Sequence, residues 1–275
     1  MSSVKDLLAW GVAQLAGYRD SSSEAGILLA HALGRDRSWL FAWPEAQVGQ
    51  SQEDQYRELI ARRAQGEPIA YLTGRREFWS LSLGVDRHTL IPRPETEDLV
   101  EFVLARLPDA RGIDAIDLGT GSGAIALALA SERPHWRITA TDRSITALQQ
   151  ARQNAQKHRL RVDFVQADWL HGIQGPFQLI VSNPPYVASD DEHLRRDGLD
   201  YEPRAALVSG EDGLRDIRRI VATARPRLAA EGWLVFEHGF EQGAVSRALL
   251  GKHGYHDIGT GRDLAGRERF SFARA

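Results

Sequence analysis

Residues 113–124 read Ile113-Asp114-Ala115-Ile116-Asp117-Leu118-Gly119-Thr120-Gly121-Ser122-Gly123-Ala124. Ile113 to Asp117 has the length and bounded apolar character of a short buried strand, and Ala124 to Glu132 reads as the helix that follows it. Glycines placed directly after a strand let the backbone approach a ligand closely. They also turn it tightly into a helix whose N-terminus presents free N–H groups. A nucleotide-like cofactor is implied. Gly119, Gly121 and Ala124 also satisfy a loose dinucleotide-binding fingerprint, so a nicotinamide-dependent oxidoreductase stands beside the other nucleotide-binding readings at this point.

Outward from this stretch, strand and helix alternate. Arg137 to Asp142 reads as a strand, Ser144 to His158 as a helix, and Val162 to Gln166, Gln178 to Val181 and Trp233 to Glu237 as further strands. A helix from about Leu214 to Leu228 precedes the last of them. Such alternation predicts an α/β fold, a mostly parallel sheet with helices on both faces and ligands at the carboxyl ends of its strands. Asp142 ends the second strand, 23 positions after Gly119, where a carboxylate accepts from ribose hydroxyls in either cofactor reading.

Asp117 separates those readings. A carboxylate ahead of the glycines meets a cationic amino group, as on a methionine moiety, whereas a pyrophosphate gains nothing from it; a turn-capping aspartate is the plainer alternative. After the third strand, Asp168 offers an acceptor for an adenine amino group and Trp169 an indole to lie on its ring, with core packing the plainer role for the tryptophan. The fourth strand leads into Ser182-Asn183-Pro184-Pro185-Tyr186. Two prolines stiffen this corner and offer carbonyls without N–H groups. The Asn183 side-chain oxygen and the Pro184 carbonyl can grip the two hydrogens of an –NH2 group, and Tyr186 provides a face for a planar amide or base. An Asn-Pro turn is common by itself. At a strand end beside a cofactor loop, it reads as a pocket for a planar primary amine or amide.

The first 65 or so residues read as helical. Ser21 with Glu24 and Ser51 with Asp54 have capping-box spacing, Ile27, Leu28, Leu29 and Leu33 recur at helical period, and Trp39, Leu40, Phe41 and Trp43 supply bulk for a small core. Packing unit and partner-docking surface are equal readings of this module. Leu81, Leu83 and Val85 then alternate at strand period between Gly74 and Pro92, predicting a hairpin connector. Pro94, followed by Glu95 and Glu97, suits the first turn of a helix running to about Arg106. The stretch Val187 to Asp212 has the length of a lid or binding segment, and its Asp190, Asp191, Arg195, Arg196 and Glu202-Pro203 suit a protein partner.

Composition narrows the chemistry. The 275 residues contain no cysteine, which removes disulfides and thiolate chemistry, and the nine histidines show no metal-ligand spacing, so no metal is expected. A net charge of −3 argues against nonspecific binding of long nucleic acid. Met1 to Ala16 lacks a secretory apolar core and the run Ala124 to Ala130 is too short to span a bilayer, so a cytoplasmic protein with no membrane association is expected.

The tetrad Asn183-Pro184-Pro185-Tyr186, the loop Asp117 to Gly123, the segment Leu90-Ile91-Pro92-Arg93-Pro94-Glu95-Thr96-Glu97 and the connector Arg75-Arg76-Glu77-Phe78-Trp79 together resemble the HemK/PrmC release-factor glutamine methyltransferases over nearly the whole chain. The tetrad alone is shared with adenine and guanine amino-methyltransferases, so a DNA or RNA exocyclic-amine methyltransferase is the alternative. The resemblance implies a helical N-terminal domain of five helices over residues 1–70 that docks the substrate protein and a β-hairpin linker over 71–92. It implies a seven-stranded, Rossmann-like S-adenosylmethionine-dependent methyltransferase domain over 93–275. It further implies methyl transfer from S-adenosyl-L-methionine to N5 of the glutamine in the GGQ motif of class I peptide chain release factors, its protein partners, without direct contact to nucleic acid. Carried over to this chain, Gly119, Thr120, Gly121, Ser122 and Gly123 line the methionine part of the cofactor, Asp142 the ribose and Trp169 the adenine region. Asn183, Pro184, Pro185 and Tyr186 hold the glutamine, with Arg93 and Pro94 in the segment that closes over it.

Overall fold

Alternation along one strand, Asp114–Leu118, decides the layering of the larger part of the protein. Ala115 packs on one face of the sheet with Leu179, Val181 and Val235, while Ile116 and Leu118 pack on the other with Ile180, Leu234 and Phe236. Successive side chains of a strand point to opposite faces, so a strand apolar at every position but Asp114 and Asp117 must be covered on both. The computed structural model describes residues 2–195 and 198–275. Arg196, together with the side chain of Arg195, lies outside the described residues.

Two compact units are present, one formed by residues 1–74 and 195–201, the other by 75–194 and 202–275. The second begins with a hairpin, β1 (Arg75–Phe78) and β2 (Leu81–Gly84), paired Phe78 to Leu81 across the two-residue turn Trp79-Ser80. Both turn residues have positive φ, as a turn matching strand twist requires. Helix α6 (Glu95–Arg106) follows, its first turn carrying Glu95, Glu97 and Asp98. Then come β3 (Asp114–Leu118), α7 (Ala124–Glu132), β4 (Arg137–Asp142), α8 (Ile145–His158), β5 (Asp163–Gln166) and β6 (Phe177–Ser182). After two 3-10 turns and the short α9 (Arg204–Leu207), the chain forms α10 (Arg215–Ala224), β7 (Leu228–Glu237), α11 (Gly243–Lys252), β8 (His256–Arg262) and β9 (Glu268–Arg274).

The seven sheet strands run in the order β5-β4-β3-β6-β7-β9-β8. The first five are parallel and β9 is antiparallel to both its neighbours. This is the seven-stranded, Rossmann-like α/β arrangement that the resemblance implies. Helix α7 is apolar around most of its circumference because it is buried, with Ile125 to Ala130 all inaccessible. Helix α10 buries only the stripe Ile217, Ile220, Val221 and Ala224. It stops at Ala224, earlier than the apolar period suggests, because Pro226 cannot continue the ladder and Arg225–Arg227 tightens into a 3-10 turn. Conversely, β7 starts five residues earlier than its alternation does, since an irregular register opposite Phe177–Leu179 hides the period. The stretch after β6 is structured: a bridge pairs Val187 with Val208 and the segment carries α9.

The first unit holds α1 (Val4–Gln14), α2 (Ser21–Leu33), α3 (Arg37–Ala42), α4 (Gln50–Ala64) and α5 (Ile69–Thr73) around Leu7, Leu15, Leu28, Leu29, Tyr56 and Ile60. Neither expected capping box forms. Ser21 is already helical and Glu24 instead grips Arg63 of α4 at 2.8 and 2.9 Å, while α4 begins after Gly49 without a side-chain cap. The box that does form is Ser3 with Asp6 at the start of α1. Of Trp39, Leu40, Phe41 and Trp43, expected as bulk for the core, only Leu40 is fully buried. Phe41, the successor of the inward Leu40 and about a quarter-turn round, is 74% exposed, and Trp43, the non-helical residue that ends α3, is 58% exposed. No helix among the described residues is long and apolar enough to cross a membrane.

Candidate active site

Strand β3 is the point where the sheet order reverses, with β4 and β5 on one side and β6 and β7 on the other. Doubly wound sheets bind ligands in the crevice at the carboxyl ends of such strands. Register brings the two diagnostic loops together there: Asp117 pairs with Val181 and Leu118 with Ser182, and the Ser182 hydroxyl donates to the Leu118 carbonyl at 2.7 Å. The glycine loop and the asparagine corner leave the sheet side by side. They open into a cavity of about 260 Å³.

Of the residues singled out from sequence, Asp117, Gly119, Thr120, Gly121, Ser122, Asp142, Asp168, Trp169, Asn183 and Pro185 line this cavity. Gly123 stands behind it as the left-handed residue that starts α7. Pro184 is buried next to the wall. The Tyr186 hydroxyl points away, donating to Glu237 Oε1 at 3.1 Å. Arg93 pairs with Glu202, whose other oxygen accepts from Ile91 N at 3.0 Å, so this ion pair fixes the segment that carries Pro92 to the wall. Pro94 immediately precedes α6. His238 is structural, its ring nitrogens 2.8 Å from Gly239 O and 2.9 Å from Ser271 Oγ.

The walls carry a definite electrostatic pattern. Asp117 is buried, and its Oδ2 accepts from the Thr120 hydroxyl at 2.6 Å while its Oδ1 has no partner among the described residues. Burial pushes its carboxyl up to about 7, with the Thr120 hydrogen bond opposing and the Asp142 charge adding. Asp142 accepts from Gly121 N at 3.0 Å and Ser144 N at 2.8 Å, and burial raises it too. Asp168, half exposed, is held by Arg219 at 2.6 Å. The Trp169 indole lies over Gly119, where a Cβ would come within 3.1 Å of the ring and φ is +70°, so only glycine lets the ring and the loop approach this closely. Asp216 accepts from Trp169 Nε1 at 3.3 Å and sets the ring's angle.

At the corner, Asn183 Nδ2 donates to Thr96 Oγ1 at 3.1 Å, and Asn183 Oδ1 is a buried acceptor with no partner among the described residues. Thr96 in turn donates to Glu237 Oε2 at 2.6 Å. Thr96 and Glu237 went unrecognised in sequence reasoning. Their only signals were a threonine flanked by two acids at a helix start and a glutamate ending an apolar strand.

The comparisons with known proteins agree with this geometry. The PrmC N-terminal domain matches residues 6–74 and the methyltransferase small domain matches 97–196. A release factor glutamine methyltransferase of Salmonella typhimurium is 47% identical over 261 residues, spanning 93% of this chain and 94% of the relative. The chain belongs to the release factor glutamine methyltransferase family. The members from Escherichia coli, 45% identical with 96% of this chain and 95% of the relative covered, and from Pseudomonas aeruginosa, 47% identical with 95% of each, say the same. Among solved structures, a methyltransferase from Pyrococcus furiosus superposes with a TM-score of 0.56 at 19% identity, covering 78% of this chain and 95% of that one. The N-terminal domain of human METTL16 in complex with SAH superposes with a TM-score of 0.52 at 17% identity, covering 80% and 83%. These structural likenesses concern the fold.

The residues present fit the S-adenosylmethionine of a methyltransferase family. Asp117 Oδ1 is a buried acceptor unsatisfied among the described residues, a need that an amino group meets, and nothing lies within 4 Å of where a Cβ on Gly121 would stand, so the loop is open there.

Proposed function

We propose that this protein transfers a methyl group from S-adenosylmethionine to N5 of the glutamine in the GGQ motif of class I peptide chain release factors, in the cytoplasm. The observation that carries this reading is the Asn183 oxygen, a buried acceptor lacking a partner among the described residues, in the same cavity lining as Asp117, whose Oδ1 likewise lacks one. The two acceptors suit two ligands. Asp117 holds the cofactor's amino group, the loop Gly119 to Gly123 lies along its methionine part, Asp142 takes the ribose with the lone pairs left after Gly121 and Ser144, and Asp168 and Trp169 flank the adenine. The bound cofactor supplies an electrophilic methyl group on a sulfonium.

An amide nitrogen is a poor nucleophile because its lone pair is delocalised, so the protein's task is to orient and polarise it. Asn183 Oδ1 and the Pro184 carbonyl accept its two hydrogens. Positive charge grows on the nitrogen as it attacks, so fixed acceptors there stabilise the transition state more than the ground state. Alignment contributes as well, on the scale of ~7 to 11 kcal/mol for well-oriented reactions. Proton loss follows methyl transfer, since the alkylated nitrogen is acidic. Residues 1–70 dock the substrate protein, 71–92 link, and 93–275 catalyse.

The test is mass spectrometry after incubation with labelled cofactor, offering a release factor, the same factor with its GGQ glutamine replaced, DNA and RNA in parallel. Label on the intact release factor alone is expected. Label on nucleic acid, with the release factor inert, would overturn the reading.

A further inference from the structure

We infer that Glu237, acting through Thr96, sets which end of the Asn183 amide faces the cavity, and so makes the corner an acceptor of hydrogens. This rests on the reading of Asn183 as the residue that meets the substrate NH2. An asparagine amide is nearly symmetric in shape, and the two orientations differ only in what they donate and accept. Facing oxygen outward, the corner accepts an NH2 group; facing nitrogen outward, it presents hydrogens to hydrogens and repels one.

The side chain behind Asn183 decides between them. A threonine hydroxyl by itself is ambivalent, able to satisfy either end of an amide. Here the ambivalence is removed, because the single hydroxyl proton of Thr96 is committed to Glu237 Oε2 at 2.6 Å. Ionised, this carboxyl only accepts; burial lifts it to about 7 against the hydrogen bonds from Thr96 and Tyr186, so the relay has this direction above that value. Thr96 Oγ1 is left with lone pairs alone, and only the Nδ2 end of Asn183 can satisfy them, as it does at 3.1 Å. The second carboxylate oxygen is occupied by the Tyr186 hydroxyl at 3.1 Å, so Glu237 also anchors the far end of the same tetrad. Thr96 and Glu237 are 4% and 3% exposed. A carboxylate buried this deeply is costly unless its acceptor character is used. A glutamine of the same size has one acceptor oxygen in place of two, so it can no longer accept from both hydroxyls and no longer fixes the direction at Thr96. Glu237 lies off the cavity wall, which makes it a positioning residue.

The experiment measures turnover at saturating release factor, and S-adenosylhomocysteine affinity by calorimetry, for Asn183→Ala, Thr96→Ser, Thr96→Val, Glu237→Gln and the double variant Thr96→Val/Glu237→Gln. Thr96→Val keeps the shape and loses the lone pairs. It should lower kcat by on the order of tenfold or more, a fraction of the loss seen on deleting a preorganised group outright, with homocysteine-cofactor affinity held. Thr96→Ser restores the hydroxyl and should restore most of the turnover. Residues acting as one chain are non-additive, so the double variant should be no worse than Thr96→Val alone. The relay is overturned if Asn183→Ala is inactive while Thr96→Val turns over normally, if Thr96→Ser fails as the valine does, or if the two losses add. A fully active Asn183→Ala would instead sink the reading of the corner itself, a distinct outcome.

Discussion

The end of β3 and the corner after β6 each bury one oxygen without a partner among the described residues, and they differ in the charge that oxygen carries. Asp117 Oδ1 belongs to a carboxyl group, Asn183 Oδ1 to an amide. A lone buried charge is expensive, so Asp117 answers by holding a proton up to about pH 7 until something cationic arrives. The amide has no such recourse. It waits as a neutral acceptor whose preference is for hydrogens in the right places. In the proposed reading, one crevice reads two ligands by different physics, one through charge and one through hydrogen-bond geometry.

Removing the neutral acceptor should have the largest effect. Asn183→Ala is expected to lower turnover by on the order of 10² or more while S-adenosylhomocysteine binding, followed by calorimetry, stays close to wild type. A matching loss of cofactor affinity would erase the division of labour between the loops. Next comes the charged acceptor. Its carboxyl is raised in the free protein, so below about 7 it must shed a proton to receive an amino group. Cofactor affinity should then climb roughly tenfold between pH 6 and pH 8 and level off above. Asp117→Asn should bind weakly and with a flat profile, and an unchanged slope in that variant would assign the titration elsewhere. The smallest effect should come from Thr120→Val. It deletes the hydroxyl that accounts for the one side-chain hydrogen bond to Asp117 Oδ2 and should move the midpoint of the profile upward by about one pH unit, as hydrogen bonds to the charged form lower such values.

What the sequence revealed and what it hid follow from distance along the chain. The glycine loop, Asp142 and the asparagine corner were legible because each is local, a strand end followed by residues whose backbone needs are unusual. Helix α10 could be placed for the same reason, its stripe running from Ile217 to Ala224 within one continuous segment. The relay behind Asn183 was not legible. It joins Thr96 to Asn183 and Glu237 across separations of 87 and 141 residues, and only the order β3-β6-β7 brings them together. The helix starts went astray for a related reason: Glu24 has the spacing of a capping partner, but Arg63, 39 residues on, offers it a charged hydrogen bond instead. Strands β8 and β9 escaped individual reading since β8 buries none of its residues fully and so shows no alternation to find.

The parallel register of Leu118 with Ser182 bears on how such an enzyme can diverge. Removing or adding one residue within β6 would invert every side chain downstream of the change, burying what now lines the crevice and exposing what now packs beneath it. Length variation among descendants is thus confined to the loops, and new acceptor specificities must arise by substitution around an asparagine whose address in the sheet is immovable.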